Sequence, residues 1–307
     1  MSQEIYYPQT ENPLLEAEEL TRSLPPKCDR TILFNIPKYD FVNYMDSVYP
    51  YPIAPSYSSS KRDARKSIKL GRWERLRLFV GSAFSDESKA KRQENIARVD
   101  SIAESIHSRK MVHYENEQRK VVDLRNDYHE RFVAGEGEPV MNYFQYVLNQ
   151  DAFPLENYDR YQGCPEVIEY LKNERKLSIA YKVPGSDELN SIAHYLYVKK
   201  ENIIKEVQFP KTELTRYRLN TARYLLLRAA LLIKEANSEK VLQSIDIRGF
   251  MDVQHAPKTV IRVTVPIRLL ESRNPDAFVI DDLFTNTLKA KEAYGLYNIP
   301  DYSLTEA

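Results

Sequence analysis

Residues 211–236 read KTELTRYRLNTARYLLLRAALLIKEA, and positions 225–233 within them are apolar except for Arg228. The stretch follows Pro210 and contains no further proline or glycine, a pattern that predicts one long helix. A helix that is apolar on nearly all sides lies inside a protein, where a sheet can cover it. We therefore expect the fold to be organised around this helix.

Strand patterns flank the apolar helix on both sides. Short runs of β-branched and aromatic residues are separated by polar turns or ended by proline, as is typical of paired strands. The predicted pairs are residues 166–170 with 177–183, 194–198 with 203–209, and 244–253 with 260–267. The segment 166–267 thus predicts a small antiparallel sheet packed on the helix.

A long charged segment precedes this module. Residues 85–134 contain no proline or glycine, so helix can continue throughout. Ser85 is a favourable N-cap residue, and Gly135 is a residue type that commonly ends a helix. Fifty helical residues would span roughly 75 Å. The apolar stripe changes phase near residues 107–110, which indicates either a stutter in a coiled coil or two helices meeting at a corner. Either arrangement needs a partner surface, so we expect a homo-oligomer.

These patterns predict an α+β fold: a long helical stalk that could form a coiled coil, then a small antiparallel sheet on an apolar helix. Residues 1–60 are expected to form an N-terminal arm, with a strand at 31–36 and a Pro/Tyr/Ser linker at 49–60. The remaining predicted divisions are 61–136 (basic block and stalk), 137–267 (the α/β module) and 268–307 (a helix at 281–295 and a tail).

Composition excludes several classes of protein. Lysine plus arginine and aspartate plus glutamate both number 44, so nucleic acid or an anionic membrane could bind only at a local patch. Cys28 and Cys164 are too few for a disulfide framework. There is no signal-peptide pattern and no apolar run near the roughly 18–20 residues of a membrane span. We expect a cytoplasmic protein without membrane association.

One block could supply such a patch. Residues 61–81 read KRDARKSIKLGRWERLRLFVG, with eight cations against two acids. An amphipathic helix with this cationic face would bind phosphate backbones or a membrane surface. The simpler alternative is a solvated helix that pairs with acids of the stalk. The candidate nucleic-acid-binding residues are Lys61, Arg62, Arg65, Lys66, Lys69, Arg72, Arg75 and Arg77.

Patterns typical of catalytic sites are weak in this sequence. A metal-dependent nuclease needs acids that hold Mg²⁺ and a lysine that steadies the attacking water. Glu166 followed by Glu174-Arg175-Lys176 matches in residue type, but the tripeptide falls in a predicted turn rather than in a strand. His113 and Glu117 are spaced for a helical metal pair, a spacing that exposed helices often show. We predict no catalytic residue, no metal site and no cofactor.

Four short motifs resemble the region upstream of the nuclease domain in Mrr-type restriction endonuclease proteins. In chain order they are Tyr146-Val-Leu148, Phe153-Pro154, Leu177-Ser-Ile-Ala-Tyr-Lys-Val-Pro184 and Arg248-Gly249-Phe250. The resemblance covers roughly residues 85–265, about three-fifths of the chain. The family's catalytic Asp…Gln/Glu-x-Lys domain has no counterpart after Ile267, so its nuclease residues do not carry over.

The resemblance implies a place in a bacterial restriction or antiviral defence system. We expect a non-catalytic, DNA-associated adaptor that assembles through its stalk, with other proteins of the same system and duplex DNA as partners. The alternatives are a metal-dependent nuclease with a cryptic site and a structural scaffold that does not bind nucleic acid.

Overall fold

The structure, a computed structural model, describes residues 5–24, 30–34, 36–67, 86–151, 163, 165–185, 188–189, 191–253, 256–271 and 279–293. The chain divides into two compact units. Unit 1 comprises residues 1–44 and 131–307, and unit 2 comprises residues 45–130.

The α-helices of the described residues, in chain order, are α1 (Pro13–Ser23), α2 (Phe41–Val48), α3 (Tyr57–Ser67), α4 (Asp86–Val133), α5 (Gly137–Asn149), α6 (Lys211–Ala236), α7 (Ile267–Glu271) and α8 (Ile280–Asp282). The strands are β1 (Ile5–Tyr6), β2 (Pro165–Leu171), β3 (Lys176–Lys182), β4 (Ile192–Val198), β5 (Ile203–Gln208), β6 (Ser244–Val253), β7 (Ala256–Pro266) and β8 (Lys291–Glu292). The prediction of a mixed helix-and-sheet fold with one long helix is confirmed.

Helix α6 lies at the centre of unit 1, as its composition predicts. Residues 225–233 of this helix are all buried, and Ala222, Leu226 and Ile233 are fully enclosed. Gly249 of β6 shows how closely the helix approaches the sheet. A Cβ at this glycine would lie 3.1 Å from Leu226 Cδ1 and 3.3 Å from Val183 Cγ1. A larger residue at this position would therefore push Leu226 or Val183 aside.

The main sheet of unit 1 has five strands in the order β2-β3-β6-β7-β8. All neighbours are antiparallel except β3 and β6, which run parallel. The predicted small antiparallel sheet is therefore present, with one parallel pair that the sequence did not predict. Parallel neighbours need a long crossover, and the chain between Lys182 and Ser244, which contains α6, provides one.

Helix α5 covers the same sheet through an aromatic side. Its residues Tyr143, Phe144 and Val147 are fully buried. The ring of Phe132 lies 5.1 Å from that of Tyr143 and 4.6 Å from that of Phe41. The Tyr143 hydroxyl donates to the Ala236 carbonyl over 3.2 Å, and burial raises the pKa of this hydroxyl.

A second sheet of unit 1 is antiparallel, in the order β1-β5-β4. Helix α1 packs on β4, where Tyr195 N donates to Thr21 Oγ1 over 3.0 Å. Asn12 begins α1 by accepting a hydrogen bond from Leu15 N. This is the side-chain cap that orphan amides at a helix start require.

Two predicted elements differ in the structure. Residues 30–33 form a 3₁₀ helix, so the strand predicted at 31–36 is wrong. The helical turn buries Leu33 and lets the Ile32 carbonyl accept a hydrogen bond from Arg228. The helix predicted at 281–295 is also wrong in extent, because a π-helical turn ends it at Thr287 and residues 291–292 pair with β7.

Helix α4 runs without interruption from Asp86 to Val133, so the phase shift near residues 107–110 is not a corner. Ser85, its predicted cap, lies outside the described residues. Gly135 ends the helix at φ +68°, a conformation that glycine adopts without strain. The amides of Gly135 and Glu136 bond back to the carbonyls of Phe132 and Arg131. This is the Schellman arrangement that satisfies a helix's last carbonyls.

Within the part of the chain that the structure describes, no helix has both the length and the apolar character needed to cross a membrane.

Candidate nucleic-acid interface

The first part of the predicted basic block forms helix α3, whose inner side is fixed to α4. Ser60 and Ala64 are fully buried on this side. Lys61 Nζ lies 2.6 Å from Asp100 Oδ1, and Lys110 Nζ lies 2.6 Å from Asp63 Oδ2. One ion pair thus has its cation on α3 and the other has its cation on α4. Two pairs of opposite polarity define how α3 is rotated about its own axis.

This rotation turns the remaining described cations outward. Arg62, Arg65 and Lys66 are all exposed. They are spaced three and four residues apart, so they share one side of the helix. The structure therefore brings together three of the eight predicted binding residues as one cationic surface. Four others, Lys69, Arg72, Arg75 and Arg77, lie outside the described residues.

Lys61 behaves differently from its three neighbours. Its ion pair with Asp100 is the pairing that the simpler interpretation of the basic block predicts. The opposite pair perturbs Asp63: the hydrogen bond and charge of Lys110, with smaller contributions from Lys66 and Arg62, lower the pKa of this carboxyl. The exposed positive charge of α3 is therefore carried mainly by Arg62, Arg65 and Lys66.

The segment before α3 packs along α4 in the opposite direction. The rings of Tyr49 and Tyr128 lie 6.0 Å apart, and the Arg125 guanidinium lies 4.5 Å above the ring of Tyr51. Farther along, the Tyr57 ring meets His107 edge-on at 5.5 Å. The predicted Pro/Tyr/Ser linker is therefore wrong as a description of residues 57–60, which are helical, and the stretch before them is bound to α4.

This segment supplies part of the partner surface that α4 needs. It leaves a groove of about 430 Å³, lined by Pro52, Ile53 and Pro55 on one side and by α4 residues that include His113 on the other. Other apolar side chains of α4 face solvent, among them Val112 at 58% exposure and Leu124 at 51%. The described residues of one chain therefore cover only some of the apolar surface of α4.

The nuclease-like residues do not form a catalytic set. Glu174 ends a 3₁₀ turn, Arg175 follows at φ +48°, and Lys176 begins β3. Lys176 is bound to Glu174, and this hydrogen bond raises the pKa of the lysine. Glu166 lies opposite Ala180 in the sheet, whereas Lys176 lies opposite Leu171 at the other end of the strand pair. Glu166 is therefore distant from the turn. The prediction that this tripeptide is a turn is confirmed.

Among the described residues, no group of three or more histidine, cysteine, aspartate or glutamate side chains is placed to hold a metal ion. Glu117, which the sequence pairs with His113, accepts a hydrogen bond from Lys120 over 2.9 Å. That bond, above all other influences, lowers the pKa of the Glu117 carboxyl.

A second cationic set was not predicted from the sequence. Arg248, Arg262 and Lys291 lie side by side across β6, β7 and β8. They are separated by 14 and 29 residues in the chain, so only the strand register brings them together. The alternation of polar and apolar residues at the start of β6 is the sequence signal that places Arg248 on the exposed side of the strand.

Comparison with known proteins gives no match: no protein-family model, no curated protein and no solved structure resembles this chain. The resemblance to Mrr-type proteins stays a prediction.

Proposed function

We propose that this chain is a non-catalytic, DNA-associated adaptor of a bacterial restriction or antiviral defence system. In this proposal, Arg62, Arg65 and Lys66 bind the phosphate backbone of duplex DNA. The observation that carries the proposal is the fixed rotation of α3, which buries Ser60 and Ala64 and leaves the three cations together at the surface.

The chemistry of this surface favours contact with the backbone rather than reading of bases. Arginine and lysine side chains that neutralise phosphates hold a duplex without sequence information. Release of condensed counterions then provides most of the affinity and makes it depend on salt. The net charge of the chain is zero, so a local surface of this kind is the form that DNA binding would take.

The absence of catalysis is part of the proposal and rests on the turn at residues 174–176. A nuclease lysine must be directed at a metal-bound water, whereas Lys176 is bound to Glu174 in its own turn. We expect purified protein not to cleave DNA in Mg²⁺ or Mn²⁺. Cleavage that disappears in the variant Glu174→Ala/Lys176→Ala would establish the nuclease alternative instead.

One observation favours the scaffold alternative. Lys61 is paired with Asp100 and so contributes to holding α3 on α4 rather than to an open cationic surface. If the remaining cations serve only solubility, the protein would bind its partners through α4 and would not bind DNA at low salt.

The test compares two triple variants on one labelled duplex by fluorescence anisotropy. Arg62→Glu/Arg65→Glu/Lys66→Glu should lose duplex binding, because the cationic surface becomes acidic. The matched control, Lys172→Glu/Lys199→Glu/Lys200→Glu, changes three exposed lysines in turns of unit 1 and should bind as the parent does. Three duplexes of unrelated sequence should bind the parent equally.

Two results would contradict the proposal. Equal loss in both triple variants would show that overall charge, rather than α3, governs binding. Strong preference of the parent for one of the three duplexes would show base reading, which a backbone-binding helix surface does not provide.

A further inference from the structure

One face of the five-stranded sheet of unit 1, the open face, carries mainly exposed and half-buried side chains among the described residues. Helices α5 and α6 cover the other face, where alternate residues such as Ile179, Ile247 and Val263 are buried. The residues between them in β3, β6 and β7 point the opposite way, since successive side chains of a strand alternate between the faces. On this open face the residues are mainly polar and charged.

Three cations form a row on the open face. Arg248 of β6 pairs in register with Arg262 of β7, and Arg262 pairs with Lys291 of β8. All three residues are exposed. Neighbouring strands lie about 4.8 Å apart, and like charges directly opposite each other destabilise a sheet. Asp246 neutralises part of this charge through its ion pair with Arg262, and a bound polyanion would compensate for the charge of Arg248 and Lys291.

An aromatic ring adjoins this row. Phe250 follows Arg248 by two residues on the same face, and its ring centre lies 5.8 Å from the guanidinium carbon of Arg248. The ring is half-buried, and its neighbour in register on β3 is Lys182. Asp246, in the adjacent row, accepts hydrogen bonds from Arg262 and Thr264 over 3.0 and 3.1 Å. These bonds hold one of the cations in place.

We propose that this face binds single-stranded nucleic acid, with the phosphates along Arg248, Arg262 and Lys291 and a base stacked on Phe250. A flat sheet face is too broad for the grooves of a duplex, which admit a helix or a two-stranded ribbon. A single strand can instead lie across a sheet, with its bases on aromatic rings and its backbone on cations. The face lies wholly within unit 1, so this inference does not rest on the duplex binding assigned to α3.

The experiment measures binding of fluorescein-labelled oligo(dT), which has bases and phosphates but no stable secondary structure. The variant Arg248→Gln/Arg262→Gln/Lys291→Gln should bind at least about tenfold more weakly than the parent. The slope of log affinity against log salt should also fall by about 2, because each lost phosphate contact removes ~0.7 from it.

A matched control separates position from charge. Lys172→Gln/Lys199→Gln/Lys200→Gln removes the same charge from turns elsewhere in unit 1 and should leave oligo(dT) binding unchanged. Circular dichroism and thermal unfolding identify any variant that fails to fold. The variant Arg62→Glu/Arg65→Glu/Lys66→Glu provides a further test, because its α3 surface should no longer bind DNA. In this variant an oligo(dT) strand should compete better than the oligo(dT)·oligo(dA) duplex for the sheet face.

Phe250 distinguishes a nucleic acid from other polyanions. Phe250→Leu should weaken oligo(dT) binding about tenfold through lost stacking and leave binding of heparin, which has no bases, unchanged. Phe250→Tyr should restore oligo(dT) binding.

Three results would overturn the proposal: no oligo(dT) binding by the parent at low salt, equal binding by the parent and the Gln variant of the row, or equal losses of heparin and oligo(dT) binding in Phe250→Leu.

Discussion

Lys110 Nζ donates a hydrogen bond to Asp63 Oδ2 over 2.6 Å, joining α4 to α3. Two residues earlier on α3, Lys61 pairs with Asp100 in the opposite sense. These contacts set which side of α3 faces solvent, and the proposed DNA-binding surface depends on that orientation.

The Asp63–Lys110 pair gives a pH-dependent prediction. Because Lys110 lowers the pKa of Asp63 below its ordinary value of 3.8, the folded state favours the ionised carboxylate. The stabilisation is therefore complete above the unfolded pKa and is lost as the pH falls through the folded pKa. NMR titration of the Asp63 carboxyl should give a midpoint below 3.8 in the parent. The midpoint should rise in Lys110→Ala; an unchanged midpoint would contradict the contact.

The buried pair of Arg228 and Asp151 predicts a large effect on stability. Their side chains are only 8% and 10% exposed and make two hydrogen bonds, of 2.9 and 2.7 Å. Asp151→Ala should lower the free energy of unfolding by about 3–5 kcal/mol, because it leaves a charged guanidinium buried without its carboxylate. The double variant Arg228→Met/Asp151→Ala should lose less unfolding free energy than Asp151→Ala alone. Urea unfolding measures both variants, and a larger loss in the double variant would argue against coupling of the two side chains.

Gly249 predicts a packing effect with an internal control. Gly249→Ala should destabilise the protein by about 1–2 kcal/mol, because the added methyl group presses on Leu226 and Val183. Gly137→Ala, at the start of α5, has open space around the new methyl group. It should be neutral or stabilising by up to about 1 kcal/mol. Equal effects of the two substitutions in thermal unfolding would show that the packing of α6 on β6 leaves room for a methyl group at residue 249.

Assembly through α4 is the fourth prediction. Val112 and Leu124 remain exposed although the same chain covers other parts of the helix, and we expect a second copy to cover them. Light scattering should give a dimer or higher oligomer at micromolar concentration. Val112→Glu/Leu124→Glu should give monomers, whereas the same change at exposed Ile168 of β2 should not. A parent that is monomeric throughout would contradict this prediction.

The sequence predicts elements well where one local pattern dominates. The run at 225–233 predicts a buried helix, and the absence of glycine and proline from residues 85–134 predicts helix throughout, with one helix and two helices as the alternatives. The run at 31–36 shows the limit, since its β-branched residues also suit a 3₁₀ turn once Leu33 is buried and the Ile32 carbonyl meets Arg228. Local propensity gives no information about such a distant partner.

The candidate sites divide in the same way. The cations of α3 are visible as a cluster in the sequence, but their orientation depends on Asp100 and Lys110, which lie far along the chain. The row of Arg248, Arg262 and Lys291 could not be predicted, because it needs the register of three strands. The parallel pairing of β3 with β6 is likewise a property of the crossover rather than of either strand.

The salt dependence of duplex binding tests the central claim most directly. Affinity of the parent for one duplex should fall linearly on a plot of log affinity against log salt. The slope should be smaller by about 2–3 in Arg62→Gln/Arg65→Gln/Lys66→Gln, since each phosphate contact contributes ~0.9 for duplex DNA. Equal slopes for the parent and this variant, or no binding by the parent at about 50 mM salt, would contradict the assignment of α3 as a DNA-binding surface.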